Sequence, residues 1–143
     1  MKTIIIALGA FLFAINTSSA QTCNIRVTIY GIDSNKGSIN IGLFNNKNTF
    51  PIIKKIYKGK IIASKKGELM CVFENIPIGK YAVSVFHDVN KNQILDKNIF
   101  GKPIEQYAFS RNKYGIFGPP DFSEVAFDIT DKTKSLALKI FLN

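Results

Sequence analysis

The sequence contains no tryptophan, one histidine and two cysteines among its 143 residues. A zinc site needs three or four ligands, and one histidine with two cysteines does not supply them. Hydrolases that place a serine nucleophile on a sharp turn carry a G-x-S-x-G pattern, which this sequence does not have. These absences argue against a zinc enzyme and against a hydrolase of that type.

Long apolar runs are also scarce. The single run, from Ile4 to Ile15, follows Lys2 and leads to the small residues Ser18-Ser19-Ala20. This order is typical of a secretory signal peptide, and the run is too short to span a bilayer comfortably. We therefore predict a signal peptide at residues 1–20 and a secreted or periplasmic mature protein without a transmembrane anchor.

Arginine is rare, although the chain is basic. The formal net charge is +9, and removal of Lys2 leaves +8. Only Arg26 and Arg111 are arginines, and the lysines are spread along the sequence instead of alternating with aromatic residues on one face. This distribution does not favour nucleic-acid binding. Attraction to a cell-envelope polymer or to an unknown protein partner fits the charge better.

Cys23 and Cys71 are the only cysteines, and both lie in strand-like alternations. In an exported protein, an even number of cysteines favours a disulfide bond. The alternative is two buried thiols, because cysteine also packs as a small apolar residue. We predict a Cys23–Cys71 disulfide.

Period-two alternation of apolar and polar residues dominates the mature chain. It recurs in residues 23–30, 38–45, 68–74, 81–87, 122–129 and 135–142, and lysine-rich residues 52–63 are typical of an exposed edge strand. The strand at 81–87 carries large side chains on both faces, which predicts a position inside a sheet. The sequence predicts an all-β fold, with residues 21–143 forming a single antiparallel β-sandwich of about seven strands.

Oxygen-bearing side chains follow the central strand at every second position. Asp88, Asn90, Asn92 and Asp96 form D-x-N-x-N-x-x-x-D. With the backbone carbonyl of Ile94, they are candidate ligands for Ca²⁺, which takes six to eight oxygens. The alternative is a turn whose Asn and Asp side chains bond their own backbone.

Further candidate site residues flank this loop. His87 is the only histidine, and Glu105 is the nearest additional carboxylate downstream. His87 would serve a catalytic site or hydrogen-bond the aromatic loop that follows, and the second role is commoner for a lone histidine. Glu105 would serve a catalytic site or join the calcium ligands. The aromatic residues of the next loop would form a binding platform or pack over the sandwich: Phe100, Tyr107, Phe109 and Phe117.

The runs IPIGKYAVSVFHDVNKN, DKNIFGKP, YAFS and FGPPDF resemble an uncharacterised bacterial family, domain of unknown function 2141. The resemblance covers essentially the whole mature chain. It implies an exported domain with a transthyretin-like (prealbumin-like) sandwich and no established activity. The P-x-G-x-Y start of the central strand is also similar to Cna-B-like sandwich domains, some of which carry calcium loops. Those loops often have Gly where this chain has Gln93.

Together, these observations favour an exported, non-enzymatic binding module of unknown ligand with a calcium-stiffened loop. The alternative is an envelope-associated hydrolase, or an accessory subunit of one, that acts on carbohydrate or peptide. Burial of His87 and Glu105 in structural contacts would favour the binding module, because a catalytic site needs accessible, convergent polar groups.

Overall fold

The structure is a computed structural model that describes residues 21–116 and 118–143. The predicted signal peptide, residues 1–20, lies outside the described residues. Eight strands make up most of the fold: β1 (Thr22–Ile32), β2 (Ser38–Phe44), β3 (Lys58–Ala63), β4 (Gly67–Pro77), β5 (Gly79–Asp88), β6 (Tyr107–Phe109), β7 (Phe127–Ile129) and β8 (Ser135–Phe141). Short helical segments cover Ile53–Lys55, Ser110–Asn112 and Phe122–Val125, the last of which is α1.

The strands form two sheets, as the all-β sandwich prediction requires. The three-stranded sheet has the order β4-β1-β8, and the five-stranded sheet has the order β3-β2-β5-β6 with β7 also paired to β5. β5 therefore pairs on both sides, which confirms its predicted position inside a sheet. The inward side chains of both sheets form one core, in which Ile25, Val27 and Ile29 of β1 are completely buried. Burial of this alternating face is the main stabilising term of the fold.

One strand pair departs from the predicted antiparallel arrangement. β8 runs parallel to β1, with Ile25 opposite Leu136 and Ile29 opposite Ile140. β7 pairs with β5 in the five-stranded sheet, and the chain then crosses to the other sheet, where β8 lies beside β1. Alternation within β8 predicts a strand, but it carries no information about the direction of the neighbouring strand.

The predicted strand at residues 122–129 is interrupted. Phe122–Val125 forms a helical turn, and only Phe127–Ile129 is extended. Asp121 and Glu124 form a capping box at the start of this turn, and the backbone N–H of Asp121 donates to Glu124 Oε2 (2.8 Å). The D-x-x-E spacing is a helix-start signal in the sequence, which the alternation obscured.

The edge strand β3 carries lysines on its inward face. Lys58 and Lys60 lie opposite the buried Leu43 and Ile41, and Lys60 Nζ lies 5.7 Å from the centroid of the Phe73 ring. An inward-pointing charge at a sheet edge discourages pairing with a strand of another molecule. This arrangement agrees with the edge strand predicted from the lysine-rich segment.

The predicted disulfide is not formed, and Cys23 and Cys71 are both buried free thiols. Cys71 lies opposite Val27 in the β1–β4 pair, four residues along β1 from Cys23. That offset separates the two cysteines by about 13 Å along the strand. A disulfide requires Cα atoms closer than about 7 Å. Both cysteines face inward on adjacent strands, as a disulfide between them would require. The register of the β1–β4 pair, however, does not place them opposite each other.

We expect both thiols to be titratable in the unfolded protein without a reductant, and to react slowly with iodoacetamide in the folded protein near pH 7. Burial raises the pKa of the Cys71 thiol to about 11, partly offset by the Lys60 ammonium, and burial also raises the pKa of Cys23. The reactive thiolate is therefore scarce. Labelling followed by mass spectrometry measures the number of free thiols in the unfolded chain and the rate at which the folded protein reacts. A requirement for dithiothreitol before the unfolded chain can be labelled would contradict the structure.

The same pKa shift makes the stability depend on pH. Because the folded-state pKa of Cys71 is raised from 9.0 to about 11, deprotonation favours the unfolded chain. The contribution of the Cys71 thiol to the free energy of unfolding is fully present below pH 9.0, and it falls as the pH rises from 9.0 to about 11. Urea unfolding of the wild type and of Cys71→Ala at several alkaline pH values separates this contribution from other titrating groups.

Candidate functional site

Asp88 is the last residue of β5, and it is completely buried. Its Oδ1 atom accepts the backbone N–H of Asn92 (3.0 Å), and its Oδ2 atom accepts the backbone N–H of Gln93 (2.8 Å). Oδ2 also accepts the side-chain amide of Asn40 on β2 (3.1 Å). Three donors compensate the carboxylate for its lost hydration. Asp88 therefore anchors the following loop to the sheet.

The other predicted calcium ligands are joined by hydrogen bonds within the loop. The side-chain amides of Asn90 and Asn92 donate to Asp96 (2.7 and 3.0 Å). Their oxygens accept the backbone N–H groups two residues ahead, on Asn92 and Ile94 (3.1 and 2.8 Å). These are the self-bonded turns that Asn residues commonly form. Within residues 21–116 and 118–143, no group of three or more histidine, cysteine or acidic side chains could hold a metal ion.

Gln93 takes a left-handed backbone conformation, with φ of 61°. It occupies the sixth position of the loop that begins at Asp88, where calcium loops of the EF-hand type place glycine for a sharp turn. A non-glycine residue adopts this conformation at a cost of roughly 1 kcal/mol. The hydrogen bond from its N–H to Asp88 holds the turn in place.

Glu105 is half-buried and closes the loop from the opposite side. Its Oε1 atom accepts the backbone N–H of Val89 (2.8 Å), and its Oε2 atom accepts that of Asp96 (3.1 Å). The carboxylate thus joins the two ends of the loop. Glu105 thus lies beside the predicted calcium ligands, but both of its carboxylate oxygens bind backbone N–H groups.

His87 is completely buried beside the turn between β1 and β2. Nε2 lies 2.7 Å from the backbone oxygen of Lys36 and donates to it. Nδ1 lies 3.2 Å from Asp33 Oδ1 and 3.4 Å from Gln106 Oε1. These contacts tie β5 to the β1–β2 turn and leave no face of the ring open to a substrate. The structural role of His87 is the one that the geometry supports.

A groove of about 780 Å³ crosses the outer face of the five-stranded sheet. Gly42 and Gly59 form part of its floor, where a side chain at Gly42 would lie 2.9 Å from Ile56 Cγ2. Its apolar lining consists mainly of Ile53, Ile56, Ile61, Phe86 and Ile94, and its polar lining includes Asn40, Ser84 and Gln93. Predominantly apolar walls with a few polar groups are characteristic of ligand-binding sites.

The model of an uncharacterised family conserved in bacteria, DUF2141, matches residues 27–137. The chain belongs to this family. The DUF2141 match begins in β1 and ends in β8, so it includes the Asp88 loop and the strands that line the groove. No curated protein and no solved structure matches the chain.

The predicted aromatic residues of this DUF2141 protein have different environments. Phe109 is buried and contacts Phe50 edge-on at 5.6 Å between ring centroids, and half-buried Tyr107 packs beside it. Both form a small second core on the outer face of the five-stranded sheet. Phe100, in contrast, is 87% exposed. Phe117 lies outside the described residues.

Sequence reasoning did not find the groove. Its floor comes from glycines at directly opposed positions of β2 and β3, and its walls come from the Ile53–Lys55 segment and the Asp88 loop. Two glycines opposed across a strand pair are visible only when the register is known.

In the described part of the chain, no helix is both long and apolar enough to cross a membrane.

Proposed function

We propose that this DUF2141 protein is an exported binding module that acts at the cell envelope or outside the cell and takes its ligand in the outer-face groove. The observation that carries this proposal is the groove itself, which has a ligand-sized volume of about 780 Å³ and a mostly apolar lining. Ile61 and Ile94 remain 60% and 61% exposed at its rim. An apolar ligand surface would remove these side chains from water.

The alternative hydrolase function would depend on His87 and Glu105, whose polar atoms are engaged in structural contacts. His87 is buried against backbone oxygen, and Glu105 binds two backbone N–H groups. Ser110 is also completely buried, and its Oγ donates to the backbone oxygen of Val125 (2.6 Å) while accepting the N–H of Val83 (3.0 Å). These residues hold the fold together, which favours the binding module.

The groove is testable with 1-anilinonaphthalene-8-sulfonate, an anionic apolar probe. We expect the probe to shift the amide resonances of Gly42 and Gly59 in the folded protein and to leave Gly67, on β4, unchanged. Ser84→Leu places a larger side chain in the groove and should weaken this binding about tenfold or more, because the apolar lining is then occluded. Ser135→Leu, on the exposed outer face of β8, is the matched control.

The biological ligand class is tested by co-sedimentation with insoluble cell-wall polymer. At a salt concentration that screens the attraction of the net charge, we expect the wild type and Ser135→Leu to sediment and Ser84→Leu to remain in solution. Equal sedimentation of all three proteins, or probe-induced shifts at Gly67 as large as those at Gly42, would contradict the proposal that the groove is the binding site.

We further propose that Ca²⁺ stiffens the loop from Asp88 to Asp96. Support comes from the D-x-N-x-N-x-x-x-D spacing and from the left-handed turn at Gln93, the position that such loops use for their sharp turn. The ion would replace the amide groups of Asn90 and Asn92 as the partner of Asp96. Two carboxylates favour the weak affinity of extracellular calcium modules.

We expect saturating Ca²⁺ to stabilise the folded protein by about 1 to 3 kcal/mol, because it binds only the folded loop. The melting temperature should rise by several degrees. Asp96→Ala should abolish this rise, whereas Asp131→Ala, an exposed carboxylate outside the loop, should keep it. Melting curves in calcium and in chelator measure the difference. Identical curves for the wild type would show that the loop is a self-bonded turn.

A further inference from the structure

The segment from Lys97 to Pro103 forms a compact hairpin turn beyond the Asp88 loop. Lys97 and Pro103 form a β-bridge, and the N–H of Asn98 donates to the carbonyl of Lys102 (2.9 Å). Asn98 Oδ1 accepts the N–H groups of Phe100 and Lys102, both at 3.0 Å. These bonds satisfy the backbone polar groups at the turn and give it a defined shape.

Large apolar side chains project from this turn into solvent. Ile99 is 93% exposed and Phe100 is 87% exposed. Ile116, on the neighbouring loop, is 90% exposed, and it lines one groove of about 490 Å³ together with Phe100. We call Ile99, Phe100 and Ile116 the apolar tip. Single exposed apolar residues are normal, but a cluster on a defined turn marks an interaction surface.

Two basic side chains flank the apolar tip. Lys97 and Lys102, one on each arm of the hairpin, line the same groove as Phe100 and Ile116. Among the residues that the structure describes, no acidic residue lines this groove, and the nearby carboxylates of Asp96 and Glu105 accept hydrogen bonds within the Asp88 loop. The surface around the tip is therefore cationic, and it is complementary to a surface that is apolar inside and anionic at its face.

We propose that the apolar tip inserts into the interfacial layer of a membrane that carries anionic lipids. Lys97 and Lys102 then lie at the level of the lipid phosphates, and Ile99, Phe100 and Ile116 enter the acyl-chain boundary. The combination of exposed apolar side chains with flanking lysines suits a lipid surface, which presents anionic head groups above an apolar interior. The apolar tip shares no residue with the outer-face groove, so the membrane proposal and the groove proposal can be tested independently.

The absence of tryptophan from the chain gives a direct spectroscopic test. Phe100→Trp places a single tryptophan at the tip, and Met70→Trp places one on β4, where Met70 is 59% exposed. With vesicles of phosphatidylglycerol, we expect the emission of Phe100→Trp to shift to the blue and that of Met70→Trp to stay constant. With phosphatidylcholine alone, both should stay constant, because one small apolar tip without charge attraction binds weakly.

Sedimentation with the same vesicles tests each component of the surface. Ile99→Ser with Phe100→Ser should reduce the bound fraction on the order of tenfold or more, because the inserted apolar area is lost. Lys97→Glu with Lys102→Glu should reduce it similarly at physiological salt. The matched control, Lys65→Glu with Lys66→Glu, changes the net charge equally at exposed positions away from the tip and should reduce binding less.

Two results would overturn the proposal. If the wild type does not sediment with phosphatidylglycerol vesicles, the tip is a docking surface for a protein partner instead of a lipid surface. If the wild type sediments but the Lys97/Lys102 and Lys65/Lys66 double variants lose binding equally, and the Ile99/Phe100 variant keeps it, the attraction is a property of the net charge and the tip has no specific role. All six substituted side chains are exposed, so these variants should remain folded.

Discussion

Replacing Gly37 with alanine is expected to destabilise the protein by about 4 kcal/mol or more, which is a large part of the total stability of a typical domain. Gly37 has φ of 75°, and an added Cβ would lie 2.6 Å from Val89 Cα and 2.8 Å from the carbonyl carbon of Asp88. Those neighbours are backbone atoms at the start of the Asp88 loop, so they cannot move aside as a flexible side chain would.

Gly67→Ala is the matched control for this prediction. Gly67 also has a positive φ, 101°, but an added Cβ there would meet nothing within 4 Å. It should therefore cost only the left-handed strain, roughly 1 to 2 kcal/mol. Urea unfolding followed by circular dichroism measures both variants. Equal losses for Gly37→Ala and Gly67→Ala would show that the close approach of the β1–β2 turn to Asp88 is not important for stability.

Asp88→Ala is expected to have the second-largest effect, about 3 to 5 kcal/mol of unfolding free energy. The substitution removes the acceptor of three hydrogen bonds and leaves the Asn40 amide, on a residue only 7% exposed, without that partner. A buried donor that has lost its acceptor has also lost its hydrogen bonds to water, and no other bond compensates for them. The left-handed turn at Gln93 also loses the bond that holds it, so the loop should become mobile.

Asp96→Ala removes the same charge from the same loop. Asp96 is half-buried and accepts bonds from the exposed amides of Asn90 and Asn92, which water can replace. We expect a loss of about 0.5 to 1.5 kcal/mol. Chemical unfolding in chelator, to exclude any bound cation, gives the comparison. A loss for Asp96→Ala as large as that for Asp88→Ala would contradict the anchoring role of Asp88.

The positions of the main strands and the alternation within β1 could be predicted because burial imposes a period of two on the residues of a strand. The interior position of β5 followed from large side chains on both of its faces. The sequence spacing also drew attention to Asp88, Asn90, Asn92 and Asp96, which the structure joins by hydrogen bonds. Local reasoning failed for Cys23 and Cys71, because strand alternation places both inward but does not specify which residues lie opposite each other. It also failed for β8, whose parallel pairing with β1 depends on the path between the sheets.

The sequence by itself determined the all-β class, the family membership and the residue content of the Asp88 loop, since these depend on local pattern and composition. Only the tertiary structure decided that His87 and Glu105 hold neighbouring segments together through hydrogen bonds. It also decided that Gly42 and Gly59 lie opposite each other in the groove floor. The exposure of Phe100 and the burial of Phe109 likewise depend on it. The reason is physical: alternation gives the face of a strand on which a side chain lies, whereas the register of paired strands and the packing of distant loops decide what that face meets.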